Sequence, residues 1–235
     1  MMTDEILQSL KGNLVVSCQA PVASPLHHPT VIAAMAETAV LRGAVGVRID
    51  TPDHIQAVRQ RVTVPIIGLW KQVTPGSEVY ITPQFHHAQA VTQAGADIVA
   101  IDATLRPRPG NETLPNLIDR IHQELAKPVM ADVDTLAAAR AAVDAGADLL
   151  GTTLYGYTAD TEKLEPPGFQ LLTDIVAELS VPCICEGGIA SPQAAYDALE
   201  LGAFSVVVGT AITGIDVLVS QYCSAIFRAE TKSQL

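Results

Sequence analysis

The chain has 235 residues, of which 49% are apolar and 17% are charged, and its formal net charge is −11. This composition excludes intrinsic disorder, which requires few apolar and many charged residues. The acidic balance argues against a nucleic-acid partner and against an anionic membrane surface. No apolar run reaches the roughly 20 residues of a membrane span, so we expect no membrane association.

The N-terminal sequence and the cysteine content indicate the cellular compartment. The N-terminal residues, MMTDEILQSLKGN, lack the apolar core and the cleavage site of a signal peptide. Four cysteines (Cys18, Cys183, Cys185 and Cys223) are too few and too scattered for a disulfide framework. We therefore expect a reduced, cytoplasmic protein. The close spacing of Cys183 and Cys185 on a predicted strand favours two buried thiols over a zinc site.

Internal repeats predict eight strands in chain order. An apolar run opens the series at 13–19. A small-residue turn followed by a β-branched run recurs at 42–50, 94–102, 145–153 and 201–209. A second phrase, with Pro near its start, recurs at 64–71, 127–133 and 181–188, and Pro suits the beginning of a strand. The runs are almost continuously apolar, which is typical of parallel strands covered on both faces.

Helical patterns lie in the gaps between these strands, at 30–43, 135–146 and 191–202. Gly at the end of a helical pattern and Ser-Pro at its start are common helix boundaries. Eight strand–helix units without a shift in composition predict an α/β fold, one parallel (β/α)8 TIM barrel that forms a single domain over residues 1–235. An open doubly wound sheet is the alternative, but the chain lacks its G-x-G-x-x-G fingerprint.

Candidate functional residues are the polar residues at the carboxyl ends of the strands, because active sites of such barrels lie there. These residues are Gln19, Arg48, Asp50, Lys71, Asp102, Asp132, Asp134, Thr152, Thr153, Glu186 and Thr210.

Lys71 is the sharpest candidate, because of the five lysines it alone ends an apolar strand. If Lys71 faces inward, Leu69 and Ile67 do so too, since residues two apart share a strand face. We expect a desolvated lysine, usable as a base or a nucleophile; the alternative is a lysine that reaches solvent at the rim. Glu186 ends the seventh strand and needs a cationic partner, for which Lys71 is available, although a purely structural ion pair would look the same.

Two loops near the end of the chain predict a phosphate site. Residues 186–192 (EGGIASP) and 207–213 (VVGTAIT) follow the seventh and eighth strands. Glycines at these positions let backbone N–H groups approach an anion, although Gly in a tight turn also has an ordinary structural explanation. The segment 77–85 (SEVYITPQF) follows the third strand and fits a lid over the barrel mouth, ordinary packing or an interface.

The histidines give no metal signal. His27–His28 and His86–His87 are adjacent pairs in loops or at helix starts, and neighbouring residues rarely converge on one metal. We interpret them as surface or capping residues and expect no metal.

Together the motifs resemble those of the N-acetylmannosamine-6-phosphate 2-epimerase family, and the resemblance covers nearly the whole chain. It rests on CQAP at 18–21, GVRID at 46–50, the lysine at 71 followed by SEVYITP at 77–83, DATLRPRP at 102–109, MADVDT at 130–135, GTTLYGYT at 151–158, EGGI at 186–189 and VVGTAIT at 207–213.

The resemblance implies a cytoplasmic barrel of the ribulose-phosphate-binding type that needs no cofactor. Such an enzyme interconverts N-acetylmannosamine 6-phosphate and N-acetylglucosamine 6-phosphate in amino-sugar or sialic acid catabolism. The family's catalytic lysine and glutamate fall on Lys71 and Glu186. The resemblance further places substrate contacts at Gln19, Arg48, Asp132, Thr153 and Tyr157, and phosphate contacts at Gly187, Gly188, Gly209 and Thr210.

The sequence also departs from the family pattern. Gln72, Gly188 and Gly214 stand where members often carry Arg. Backbone amides, or Arg106 and Arg108 in the loop after the fourth strand, would then have to hold the phosphate.

Two other functions stay open from the residues alone. One is a Schiff-base aldolase with Lys71 as nucleophile, and the other is a sugar-phosphate-binding protein without turnover. The apolar stretch 217–227 leaves room for a homodimer interface, although it also suits ordinary packing against the barrel.

Overall fold

Eight parallel strands close into a barrel in the computed structural model, which describes residues 2–232 and the side chains of residues 5–227. The strands are β1 Leu14–Cys18, β2 Gly46–Asp50, β3 Ile66–Leu69, β4 Ile98–Asp102, β5 Val129–Asp132, β6 Leu149–Gly151, β7 Cys183–Glu186 and β8 Ser205–Val208. Each strand pairs with its chain neighbours, and β8 pairs with β1 to close the sheet. The predicted (β/α)8 barrel is confirmed.

Helices occupy the gaps between the strands, and others precede β1 and follow β8. They are α1 Met2–Leu10, α2 Pro29–Leu41, α3 Pro52–Arg59, α4 Phe85–Gln93, α5 Leu114–Arg120, α6 Leu136–Asp144, α7 Phe169–Glu178, α8 Pro192–Glu200, α9 Thr210–Thr213 and α10 Ile215–Lys232, with a π-helical turn at Ile121–Leu125 after α5. The predicted start of α8 is confirmed, because the Ser191 side chain accepts a hydrogen bond from the Ala194 N–H at 3.1 Å. Among the residues described, none of these helices is both long and apolar enough to cross a membrane.

Alternation along each strand divides the apolar residues between two cores. Ile67, Leu69 and Ile184 lie in the core that fills the barrel. Cys183 and Cys185 belong to the larger core between the sheet and the helices. Both thiols are buried as predicted, and burial raises the pKa of Cys185 to about 11. The inward strand face inferred for Lys71, Leu69 and Ile67 is therefore confirmed.

Helix α1 closes the amino-terminal end of the barrel, and no sequence signal predicted it. Its last residue, Leu10, is fully buried in the inner core, with Ile6 and Leu7 packed beside it. A Cβ atom on Gly46 would lie 2.9 Å from the Leu10 Cδ2 atom. The absence of a side chain at Gly46 therefore leaves room for α1 to pack against the start of β2.

The segment 77–85 packs against the tip of β3. Lys71 and Ile81 form an antiparallel bridge, and the Gln72 N–H donates to the Tyr80 carbonyl at 2.8 Å. Val79 and Ile81 are buried. Of the three interpretations left open by the sequence, the structure favours packing.

Candidate active site

A cavity of about 730 Å³ opens at the carboxyl ends of the strands. Its lining includes Ser17, Gln19, Arg48, Lys71, Tyr80, Thr153, Tyr157, Glu186, Gly187, Gly188, Gly209, Thr210, Val217, Leu218, Gln221 and Tyr222. Of the residues that the family resemblance assigned to the site, all line this cavity except Asp132. Four further strand-end candidates from the sequence do not line it: Asp50, Asp102, Asp134 and Thr152.

The floor of the cavity is an ion cluster centred on Arg48, whose side chain is only 1% exposed. Its two terminal nitrogens bind the two carboxylate oxygens of Asp132, and Nη1 also lies 2.9 Å from Glu186 Oε2. The Thr153 hydroxyl donates to Asp132 Oδ1 at 2.6 Å and lies 3.2 Å from Glu186 Oε2. The predicted cationic partner of Glu186 was Lys71; that expectation is wrong, because the ion pair forms with Arg48.

Asp132 lies beneath this floor instead of facing the cavity. Its carboxylate is fully buried at the end of β5, and Arg48 and Thr153 bind it. A bidentate pairing fixes the plane of the guanidinium. In this structure Asp132 therefore orients Arg48 and Thr153, while Arg48 and Thr153 face the cavity.

The cluster places two carboxylates against one guanidinium, which favours a proton on one of them. Burial, helped by the charge of Asp132, raises the pKa of Glu186 to about 7, against the opposing effects of Arg48, the Thr153 hydrogen bond and Lys71. Burial alone would lower the pKa of Arg48, but the charges of Asp132 and Glu186 outweigh it and the pKa is raised. The guanidinium stays charged, and Glu186 changes protonation state near neutral pH.

Lys71 stands at the rim, just past the end of β3. Lys71 is exposed, so the expectation of a desolvated lysine is wrong. The ammonium group is nevertheless oriented, because Nζ donates to Gln19 Oε1, and the Gln19 amide nitrogen in turn donates to Ser17 Oγ at 3.0 Å. An amine and an amide, each with a fixed partner, therefore face the cavity from the ends of β3 and β1.

Glycine backbone forms the opposite wall. Gly187 and Gly188 have φ values of 96° and 70°, in the left-handed region that favours glycine. Gly209 lies at the N-terminal end of the four-residue helix α9, and Thr210 is exposed beside it. This wall offers backbone N–H groups and a hydroxyl, which are neutral donors for an oxyanion.

Several lining residues were not among the predicted site residues. Tyr80 enters the cavity because the segment 77–85 folds back against β3. Gln221 and Tyr222 arrive from α10, near the end of the chain. Chain position could not place Gln221 and Tyr222, because α10 does not directly follow a strand of the barrel.

Arg106 and Arg108 do not line the cavity, so of the two alternatives for holding the phosphate the structure does not support these arginines. Arg106 Nη2 pairs with Asp102 Oδ2 at 2.8 Å. Arg108 is buried, its Nη1 donates to the Pro83 carbonyl at 3.4 Å, and burial lowers its pKa. These cations organise the loop after β4.

The paired histidines have local partners. His28 Nδ1 accepts from the Thr30 N–H at the start of α2, and His87 forms a capping box with Gln84 at the start of α4. The capping interpretation is confirmed for these two residues. Among the side chains of residues 5–227, no group of three or more His, Cys, Asp or Glu is arranged to hold a metal ion.

Comparison with known proteins shows that this chain is similar to proteins that share one description. Residues 32–228 match the sequence profile of a family described as "Putative N-acetylmannosamine-6-phosphate epimerase". A "Putative N-acetylmannosamine-6-phosphate 2-epimerase" of Thermosynechococcus vestitus is 63% identical over 217 residues, which cover 92% of this chain and 94% of that one. A protein of the same description from Synechococcus elongatus is 60% identical over 222 residues, covering 94% and 96%.

A solved structure is similar along nearly the whole chain. It is that of the N-acetylmannosamine-6-phosphate 2-epimerase from Clostridium perfringens, with a TM-score of 0.90 and 36% sequence identity, covering 94% of this chain and 96% of that one.

Proposed function

Because this chain belongs to the N-acetylmannosamine-6-phosphate epimerase family, we propose that it interconverts N-acetylmannosamine 6-phosphate and N-acetylglucosamine 6-phosphate by removing and returning the hydrogen at C2. The observation that carries this proposal is the convergence of an oriented amine, an ion cluster and a glycine wall in one cavity. The relatives named above also favour epimerisation over a Schiff-base aldolase and over a binding protein without turnover.

The reaction requires a base and an electrophilic environment. In the open-chain aldehyde the C2 hydrogen is α to the carbonyl, so its removal gives an enolate. The Lys71 amine takes this proton, the enolate turns its other face toward Lys71, and the resulting ammonium group returns a proton to C2. Returning it to the original face regenerates the substrate, so the overall change is inversion at C2.

The ion cluster stabilises the charge that develops during this step. Arg48 stays cationic and is held in one orientation by Asp132, which suits a donor to the enolate oxygen. Gln19 and Thr153 add neutral hydrogen-bonding groups to the same cavity. Glu186, protonated below about pH 7, serves as a donor to a sugar hydroxyl.

The glycine wall holds the phosphate at the end of the substrate that does not react. Backbone amides around Gly187–Gly188 and the Gly209–Thr210 turn supply the donors, and Tyr157 closes the side of the cavity. Binding remote from C2 positions the reacting carbon against Lys71. A homodimer, a cytoplasmic location and the absence of a cofactor stay predictions of the sequence.

Proton NMR in deuterated water tests the function directly. We expect N-acetylmannosamine 6-phosphate to give N-acetylglucosamine 6-phosphate carrying deuterium at C2. If neither the product nor hydrogen exchange at C2 is observed, the proposal is contradicted. Borohydride treatment of the working enzyme separates the aldolase alternative, which predicts a trapped adduct on Lys71.

A further inference from the structure

The carboxylate of Asp50 binds the main chain of Lys71. Asp50 ends β2, and its Oδ1 accepts a hydrogen bond from the Lys71 N–H at 2.9 Å. Asp50 does not line the cavity. Its contact with the site thus runs through the backbone of the lysine.

This contact completes the support of the β3 tip. Successive N–H groups of an extended segment point to opposite sides. The Trp70 N–H donates to Thr82 Oγ1 at 3.1 Å and the Gln72 N–H to the Tyr80 carbonyl at 2.8 Å, so both face the 77–85 segment. The Lys71 N–H faces the other way, where Asp50 is its acceptor. Without that acceptor the tip is held from one side and a backbone donor loses its partner.

A histidine pair connects this support to the loop that carries Gln19. The rings of His27 and His54 meet edge to face, with centroids 4.6 Å apart. His27 Nδ1 lies 3.0 Å from the carbonyl of Ala20, the residue after Gln19. His54 is buried at the start of α3, where its imidazole interacts with the backbone of Asp50. The rings therefore join the loop after β1 to the end of β2.

We propose that Asp50 is a positioning residue for Lys71, and that the His27–His54 pair keeps Asp50 and Gln19 at a fixed separation. Asp50 fixes the backbone of the lysine, and Gln19 orients its Nζ. Two fixed points restrict the amine to one approach to C2. The inference rests on the proposed function for the role of the amine.

Substitution of Asp50 separates positioning from charge. We expect Asp50→Ala to lower kcat by roughly tenfold to a hundredfold, the scale of an ångström-sized misplacement of a reacting group, with KM within about twofold. Asp50→Asn keeps an acceptor oxygen at the same place, so we expect kcat to be largely restored. Asp53→Ala, which removes an exposed carboxylate three residues away, is the matched control and should behave as wild type.

Each result has a defined meaning. An Asp50→Ala enzyme with wild-type kcat, a rise in KM alone, or an Asp50→Asn enzyme as slow as Asp50→Ala would overturn the positioning role. If Asp50→Ala does not fold, His27→Phe decides: a kcat loss at unchanged KM supports the role, and a wild-type kcat overturns it.

Failure of the proposed function is distinguishable from failure of this inference. Wild-type protein without turnover contradicts the proposed function alone. In that case the rate at which an acylating reagent labels the Lys71 amine, measured by peptide mass spectrometry, tests the support directly. A changed labelling rate in Asp50→Ala, restored in Asp50→Asn, supports the positioning role, and equal rates in all three proteins overturn it.

Discussion

Lys71 joins two properties that a catalytic amine needs, exposure to the cavity and a fixed hydrogen-bond partner. We expect Lys71→Ala to fold as wild type, because the side chain is exposed and its removal leaves no buried group unpaired. Turnover should fall by about 10²- to 10⁴-fold or more, the usual contribution of a general base. The NMR assay measures the loss, with circular dichroism as the check on folding. Lys163→Ala, in an exposed loop, is the control, and wild-type turnover in Lys71→Ala would remove the lysine from the mechanism.

Glu186 should make stability depend on pH in a direction unusual for a carboxyl group. Its pKa is raised from 4.5 to about 7 in the folded protein, mainly by burial and then by Asp132. The folded state therefore holds a proton that the unfolded state releases between these values. Stability falls as pH rises through this window, and above about pH 7 the full effect is on the order of 3 kcal/mol.

Glu186→Gln removes this titration. The melting temperature of the variant should rise relative to wild type as pH increases from about 4.5 to 7, and the difference should then level off. Thermal unfolding across that pH range measures it. Glu178→Gln removes an exposed carboxylate and serves as the control. A difference for Glu186→Gln that does not change with pH would contradict the raised pKa.

At the scale of elements, the loop after β7 depends on close packing at Gly188. A Cβ atom there would lie 2.4 Å from Pro166 Cβ and 2.8 Å from the Pro166 carbonyl carbon. The loop before α7 thus occupies the space that any side chain at position 188 needs. This contact explains in steric terms why position 188, where members of the family often carry Arg, is glycine in this chain.

Substitution of this glycine should move the loop and weaken phosphate binding. We expect Gly188→Ala to reduce the affinity for the product by about tenfold, since shifted amides lose hydrogen bonds to a charged group. Isothermal titration calorimetry gives the affinity. Gly12→Ala is a matched control, because Gly12 has the same φ of 70° and an added Cβ would meet nothing within 4 Å. Equal affinities in the two variants would show that the β7 loop does not hold the phosphate.

The sequence predicted the elements better than the contacts between them. Strand runs were recognisable because parallel strands covered on both faces are continuously apolar, as in β4. The Arg48–Glu186 pair could not be predicted, because it joins β2 and β7 across the barrel. Chain order does not say which cation reaches a given carboxylate. Helix α1 was missed because Leu10, the fully buried residue among its described side chains, packs against a barrel end that only the closed fold creates.

For the whole molecule, the net charge repels the anionic substrate at long range, and short-range hydrogen bonds in the cavity provide the affinity. The chain carries −11, and an approaching phosphosugar is itself an anion. Of the residues that line the cavity in the described part of the chain, Arg48 and Lys71 are the cationic ones, and Arg48 is already bound by two carboxyl groups. The glycine wall offers neutral donors, so the field around the protein opposes the substrate until short-range hydrogen bonds form.

This balance predicts an inverse salt effect on KM. Salt screens the repulsion between the acidic chain and the substrate, but it has little effect on short hydrogen bonds from backbone amides. Raising ionic strength from about 20 mM to 200 mM should therefore lower KM by about two- to threefold and leave kcat unchanged. Initial rates in sodium chloride, repeated in a second monovalent salt, separate screening from specific ion binding. A KM that rises severalfold would instead require a cation at the phosphate, supplied from beyond the described cavity lining, because attraction between opposite charges weakens in salt.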